Sequence, residues 1–161
     1  MTEEPPATDC IICRGADGDA EMLREQVWED DLWRLTTAVV GEVAGFSYLE
    51  PKRHVRYIHE LDGPEAATLG TVLARTSAAV KAAAGAEYVY VYVFGDSIPH
   101  LHLHLAPHHP DGPLNGSMIR GDLTEEPLPG GGVLVTSAQF PPLPESELRA
   151  AVDRVRSALV S

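Results

Sequence analysis

Three histidines alternate with leucine in the run His100-Leu101-His102-Leu103-His104-Leu105. On an extended strand, side chains two apart share a face, so this spacing sets three imidazoles on one side and three leucines on the other. Successive same-face residues lie about 6.6 Å apart, which puts His100 and His104 about 13 Å apart with His102 between them. A row on that scale suits a chain of phosphate groups better than a single metal ion, and it makes all three histidines, His100 included, candidate substrate contacts. Two other readings stand beside it. Histidines at i and i+2 on a strand can ligate zinc, and a buried histidine with a satisfied hydrogen bond is ordinary core.

Imidazole is a nucleophile at neutral pH because its ordinary pKa of about 6.5 leaves one ring nitrogen unprotonated. If Nδ1–H of His102 donates to a backbone carbonyl, the tautomer is fixed and Nε2 carries the lone pair. Attack on phosphorus would then split a displacement into two easier steps through a phospho-histidine bond.

A second cluster is Cys10-Ile11-Ile12-Cys13. The spacing fits half a metal site, though the same pair occurs in redox motifs and by chance. A disulfide is not expected, since the chain reads as cytosolic: its first residues are acidic and proline-bearing, and no apolar run approaches the roughly 20 residues of a membrane span. The formal net charge of -12 argues against partners bound by neutralising many phosphates, so neither nucleic acid nor an anionic membrane is expected. A small phosphorylated ligand remains compatible. The one basic cluster, Lys52, Arg53 and Arg56, flanks His54 and reads equally as a phosphate contact or as solvated surface.

These residues need a scaffold, and 161 residues with 44% hydrophobic content suffice for one core. Val27-Trp28 and Leu32 to Leu35 flank the acidic turn Glu29-Asp30-Asp31 and read as two short strands. Phe46 to Leu49 reads as a third, ending at Pro51. Asp62-Gly63-Pro64-Glu65 opens a helix, Asp62 being able to cap it, and Leu69, Val72, Leu73, Thr76 and Val80 continue it to Gly85. Tyr88 to Phe94 alternates with period two and predicts a strand, joined as a hairpin to the histidine strand. From His108 to about Pro144 the chain is rich in Gly and Pro and reads as loop, broken by a short strand at Val133-Leu134-Val135. Glu145 to Leu159 predicts a terminal helix. His59, His108 and His109 read as surface residues, and Trp28, Trp33, Tyr92 and Phe94 as core residues or, less simply, as platforms for a base.

The run His100 to Ala106 resembles the histidine triad (HIT) motif, His-φ-His-φ-His-φ-φ. Glu29-Asp30-Asp31, Gly45 followed by Pro51-Lys52-Arg53-His54, and Ser97 three residues before the triad resemble further family segments. The likeness covers roughly Cys10 to Pro107. It implies an α+β, HIT-like fold: a five-stranded antiparallel sheet, one long helix and a C-terminal helix, in a homodimer. The expected layout is a disordered tail at 1–9, a HIT domain at 10–109, and a Gly/Pro-rich loop and helix at 110–161 completing it.

By that resemblance the chain is a hydrolase or nucleotidyltransferase, cleaving a nucleoside phosphoramidate or dinucleoside polyphosphate. His102 would be the nucleophile, His104 would contact the α-phosphate oxygens, and Ser97 would bond the bridging or leaving atom. Some bacterial members also hold a structural zinc ion, which here would fall to Cys10, Cys13, His54 and His100. Rival functions are a non-catalytic nucleotide- or partner-binding module and a metal-dependent hydrolase.

Several positions depart from the family. Ala38 stands where an acidic residue usually holds the ribose hydroxyls, Phe46 replaces a histidine after the glycine, and Asp96 stands where Gln is usual. Asp96 would repel a polyanion unless paired, for instance with Arg120. The phosphorus chemistry is expected to be intact and the nucleoside recognition altered.

Overall fold

The structure is a computed structural model that describes residues 9–95, 97–113, 123–137 and 140–160. The first eight residues of the expected tail, together with Asp96 and Arg120, lie outside the described residues.

Five strands form one antiparallel sheet: β1 (Arg24–Glu29), β2 (Trp33–Ala38), β3 (Ser47–Pro51), β4 (Tyr88–Tyr92) and β5 (Leu103–His108), in the order β1-β2-β3-β5-β4. The fold class is therefore the one the sequence implies. The turn between β1 and β2 is fixed by Asp30, whose Oδ1 accepts from the backbone N–H of Leu32 at 2.8 Å and of Trp33 at 2.7 Å. Short polar side chains favour such turns by this kind of local bond.

The long helix is α2 (Gly63–Ala84). Pro64 sits in its first turn and Gly85 ends it at φ 60, a left-handed conformation that costs a side-chain residue but not glycine. Asp62 makes no capping bond; its carboxylate goes instead to Arg53, 2.6 Å away. The last helix is α3 (Glu145–Leu159). Both helices cover one face of the sheet, where Val72 and Val80 of α2 and Val152, Val155 and Leu159 of α3 join Trp33, Leu35, Leu49, Leu101, Leu103 and Leu105 in one core. No helix among the described residues is long and apolar enough to cross a membrane.

Three elements differ from expectation. The histidine strand begins only at Leu103 and runs on through His108, because His100 N–H is taken by the Ile98 carbonyl (2.8 Å) and Leu101 N–H by the Val55 carbonyl (2.7 Å). Alternation survives this shift: Leu101, Leu103 and Leu105 are buried among the helices. His108, expected on the surface, is buried in β5 between the rings of Tyr88 and Tyr90. The Gly/Pro-rich region is not one lone strand in loop but a hairpin of β6 (Leu123–Pro127) and β7 (Val133–Ser137), which forms a second sheet. A short helix, α1 (Ala16–Glu21), occupies a polar, glycine-bearing stretch for which no element is expected.

Candidate functional site

The second face of the sheet is the chemical one. His104 on β5 pairs with Tyr48 of β3 and with Tyr92 of β4, and Tyr92 stacks on it with ring centroids 4.6 Å apart and 10° between planes. Tyr48, Phe46 and Phe94 meet the same imidazole at 5.3, 5.9 and 5.7 Å. Burial in this aromatic surround lowers the pKa of His104 to about 4, with His102 adding to the effect, so the ring is neutral at pH 7. Its Nδ1–H donates to the Tyr92 carbonyl at 3.2 Å, leaving Nε2 as the free ring nitrogen.

His102 lies 5.1 Å from His104, ring to ring. Its Nδ1 is 2.6 Å from the His100 carbonyl oxygen, to which Nδ1–H donates. That bond sets the tautomer in which Nε2 holds a lone pair. Both rings, with Ser97, line a cleft of about 430 Å³, a size that suits a small organic ligand. Ala38, Phe46, Tyr48, Tyr92 and Phe94 line it too, so all four aromatic residues around His104 face the cleft. The tryptophans do not. Trp33 is fully buried with its indole N–H on Thr68, and Trp28 lies under Arg75.

His100 parts from its two neighbours. It is 1% exposed and is absent from the residues lining the cleft, so the expectation that all three imidazoles face one substrate is corrected. Its Nε2–H donates to the Pro51 carbonyl at 2.8 Å, and its Nδ1 lies 3.4 Å from both Cys10 Sγ and Cys13 Sγ. His54 Nδ1 is also 3.4 Å from Cys13 Sγ. The ligand atoms of these four residues all lie within 4.8 Å of one another.

With Zn–S of about 2.3 Å and Zn–N of about 2.05 Å, a tetrahedral centre requires S···N edges of about 3.6 Å. The four donors thus fit zinc in both type and spacing, and the carbonyl of Pro51 orients one imidazole as a supporting acceptor. Their chemistry fits as well. Burial lowers His100 to about 4, keeping it neutral as a ligand must be. Burial, then Cys10 beside it, pushes the Cys13 thiol up to about 12, so Cys13 keeps its proton at neutral pH unless a metal cation displaces it.

Between the two sites runs a buried ionic cluster that inspection of the sequence misses. Arg24 bonds Asp19 and both oxygens of Glu50, while Arg34 bonds the same two acids. All four are buried. Arg24 is the only cation among the described residues lining the cleft, and its guanidinium lies 5.5 Å from the Tyr48 ring centre. The basic cluster at 52–56 takes no part. Lys52 pairs with Glu29 at 2.8 Å, Arg53 pairs with Glu65 and Asp62, and Arg56 lies over Tyr57.

No protein-family model and no curated protein matches the chain. Solved structures do. A histidine triad protein from Bradyrhizobium japonicum is 17% identical, covering 87% of this chain and 93% of that one at a TM-score of 0.64. A hypothetical histidine triad nucleotide-binding protein from Sulfolobus tokodaii is 19% identical, covering 92% and 91% at a TM-score of 0.61. A Zn-bound histidine triad family protein from Mycobacterium smegmatis is 18% identical, covering 94% and 99% at a TM-score of 0.57. These likenesses show the fold.

Proposed function

We propose that this chain, which has the histidine triad fold, is a nucleotidyl hydrolase or transferase acting on a phosphoramidate or phosphoanhydride of a nucleotide. The observation that carries the reading is the 2.6 Å bond from His102 Nδ1 to the His100 carbonyl, which leaves a lone pair on Nε2 at the wall of a cleft. In the first step Nε2 forms a bond to phosphorus while the bond from phosphorus to the leaving oxygen or nitrogen breaks. Ser97, beside the same cleft, donates to the leaving atom. In the second step water or an acceptor takes the phosphoryl centre and the N–P bond breaks.

His104 acts on the phosphate oxygens. Burial holds its pKa low, whereas a phosphate anion near Nε2 favours the charged ring, which then donates to it. Tyr92, stacked on the ring, offsets part of the cost of that charge.

Cys10, Cys13, His54 and His100 hold zinc as a structural ion. Four protein ligands close its tetrahedron, as in staples and unlike catalytic centres, which keep a position open. The two thiolate ligands also suit a reducing, cytosolic setting. The proposed assembly is a homodimer through β4, an edge strand around which Tyr88, Val91, Val93 and Phe94 are exposed.

The test is direct. Incubation with a phosphate-labelled nucleoside phosphoramidate, quenching and peptide mapping should find an acid-labile, base-stable adduct on His102. Turnover without any adduct on that residue refutes covalent catalysis.

A further inference from the structure

The two isoleucines between the cysteines point in different directions of use. Ile12 lines the cleft that holds His102 and His104. Ile11 instead meets the turn joining β6 to β7. At Gly130 in that turn, a Cβ would lie 2.8 Å from Ile11 Cδ1, 2.8 Å from Glu21 Cβ and 2.5 Å from Glu21 Oε2. Real side chains do not approach so closely, so only glycine lets the backbone seat there. Glu21 is held in place by Arg14, the residue after Cys13, through bonds of 2.8 and 2.9 Å. The hairpin that Gly130 seats in turn contributes Glu125, Leu128, Val133 and Leu134 to the cleft.

We propose that the Cys10–Cys13 knuckle determines which substrates the cleft admits, with Ile12 as one wall and with Ile11 and Glu21 as the seat that holds the β6–β7 hairpin as another. The inference rests on reading the cleft as the substrate site, and it gives the staple a part in recognition. Loss of the knuckle's shape frees the hairpin, because among the described residues the second sheet has two strands and two-stranded hairpins are marginal unless something covers them. The sheet strands β2 and β3 do not depend on that seat.

The experiment is amide hydrogen exchange on the zinc-loaded full chain, on the same protein after chelation, and on Gly130→Val and Ile11→Ala, neither of which alters a metal ligand. Protection over residues 123–137 should fall at least about tenfold in all three; in the two variants β2 and β3 stay within about twofold of wild type, and after chelation the hairpin loses more protection than β2 and β3 do. AMP affinity by calorimetry should weaken in the same three by about tenfold. Hairpin exchange that is unchanged by chelation and by both variants overturns the inference, as does an AMP affinity indifferent to a freed hairpin. The His102 adduct is scored on the same samples. Its absence, with hairpin exchange still responsive, sinks the catalytic reading and leaves the coupling standing.

Discussion

His100 and His102 are joined through one carbonyl: the oxygen of His100 accepts Nδ1–H of His102 at 2.6 Å, while the His100 ring faces Cys10 and Cys13 at 3.4 Å. A residue whose side chain belongs to the metal cluster therefore fixes the tautomer of the proposed nucleophile with its backbone. Adjacent triad residues serve separate sites, one by ring and one by main chain.

Replacing His102 with Asn keeps a polar side chain of similar size and removes the attacking nitrogen. Turnover should fall by at least about a thousandfold with little change in thermal stability. Steady-state kinetics beside a melting curve checks both halves, and wild-type turnover by a folded His102→Asn protein would reject the nucleophile.

Chelation should remove about one zinc per chain and destabilise the fold by several kcal/mol, a fall of roughly 10 °C in Tm at about 2–4 °C per kcal/mol for a chain of this size. Below that lowered Tm the stripped protein should still form the His102 adduct, because a closed four-ligand site takes no part in the reaction. Metal analysis, calorimetry and adduct mapping give the three readouts. Reversible loss of the adduct without loss of stability would instead mark the ion as catalytic.

Stability should depend on pH through His104. Its folded pKa of about 4 lies below the unfolded value of about 6.5, so between these values the unfolded chain binds more protons. Its contribution is complete above about pH 6.5 and is lost as the pH falls toward 4. His100 titrates in the same window, and a His104→Phe variant isolates the first effect. Urea melts from pH 4 to 8 should show a shallower slope for that variant than for wild type; identical slopes would assign the dependence elsewhere.

The same geometry predicts proton uptake on ligand binding. A phosphate beside Nε2 raises the His104 pKa, so near neutral pH AMP should bind with fractional proton uptake, and its affinity should weaken as the pH rises. Calorimetry in buffers of differing ionisation enthalpy measures the proton number directly. A value of zero in wild type would mean that His104 does not face the phosphate.

Breaking the buried ionic cluster should be costly. Glu50→Gln leaves two buried guanidinium groups sharing one carboxylate, that of Asp19, and should destabilise the protein by about 3–5 kcal/mol in denaturant melts. A change within about 0.5 kcal/mol, as for a surface residue, would show the cluster to be wet.

The large elements were legible in the sequence because each carries its own local signal. Tyr88 to Tyr92 alternates, Gly85 ends a periodic helix, and Asp30 makes its turn with the backbone amides of Leu32 and Trp33. The separation of His100 from His102 was not legible from spacing. It depends on where β5 starts, and that is set by bonds to Ile98 and Val55, the latter far away in the chain. The charge cluster escaped for a related reason: Asp19, Arg24, Arg34 and Glu50 look like solvent-facing strand and loop residues, and partners 5 to 26 residues apart reveal themselves only in the fold. Strand β6 is acidic and ends at a proline, so it carries few of the residues that usually announce a strand.

The sheet thus divides its holding forces by side. Toward α2 and α3 it is gripped by hydrocarbon, whose hold weakens on cooling, and across its other side Arg24 and Arg34 grip Asp19 and Glu50, charges that water reclaims more eagerly in the cold. A chilled molecule therefore loses grip on both sides at once, and warmth favours the two together.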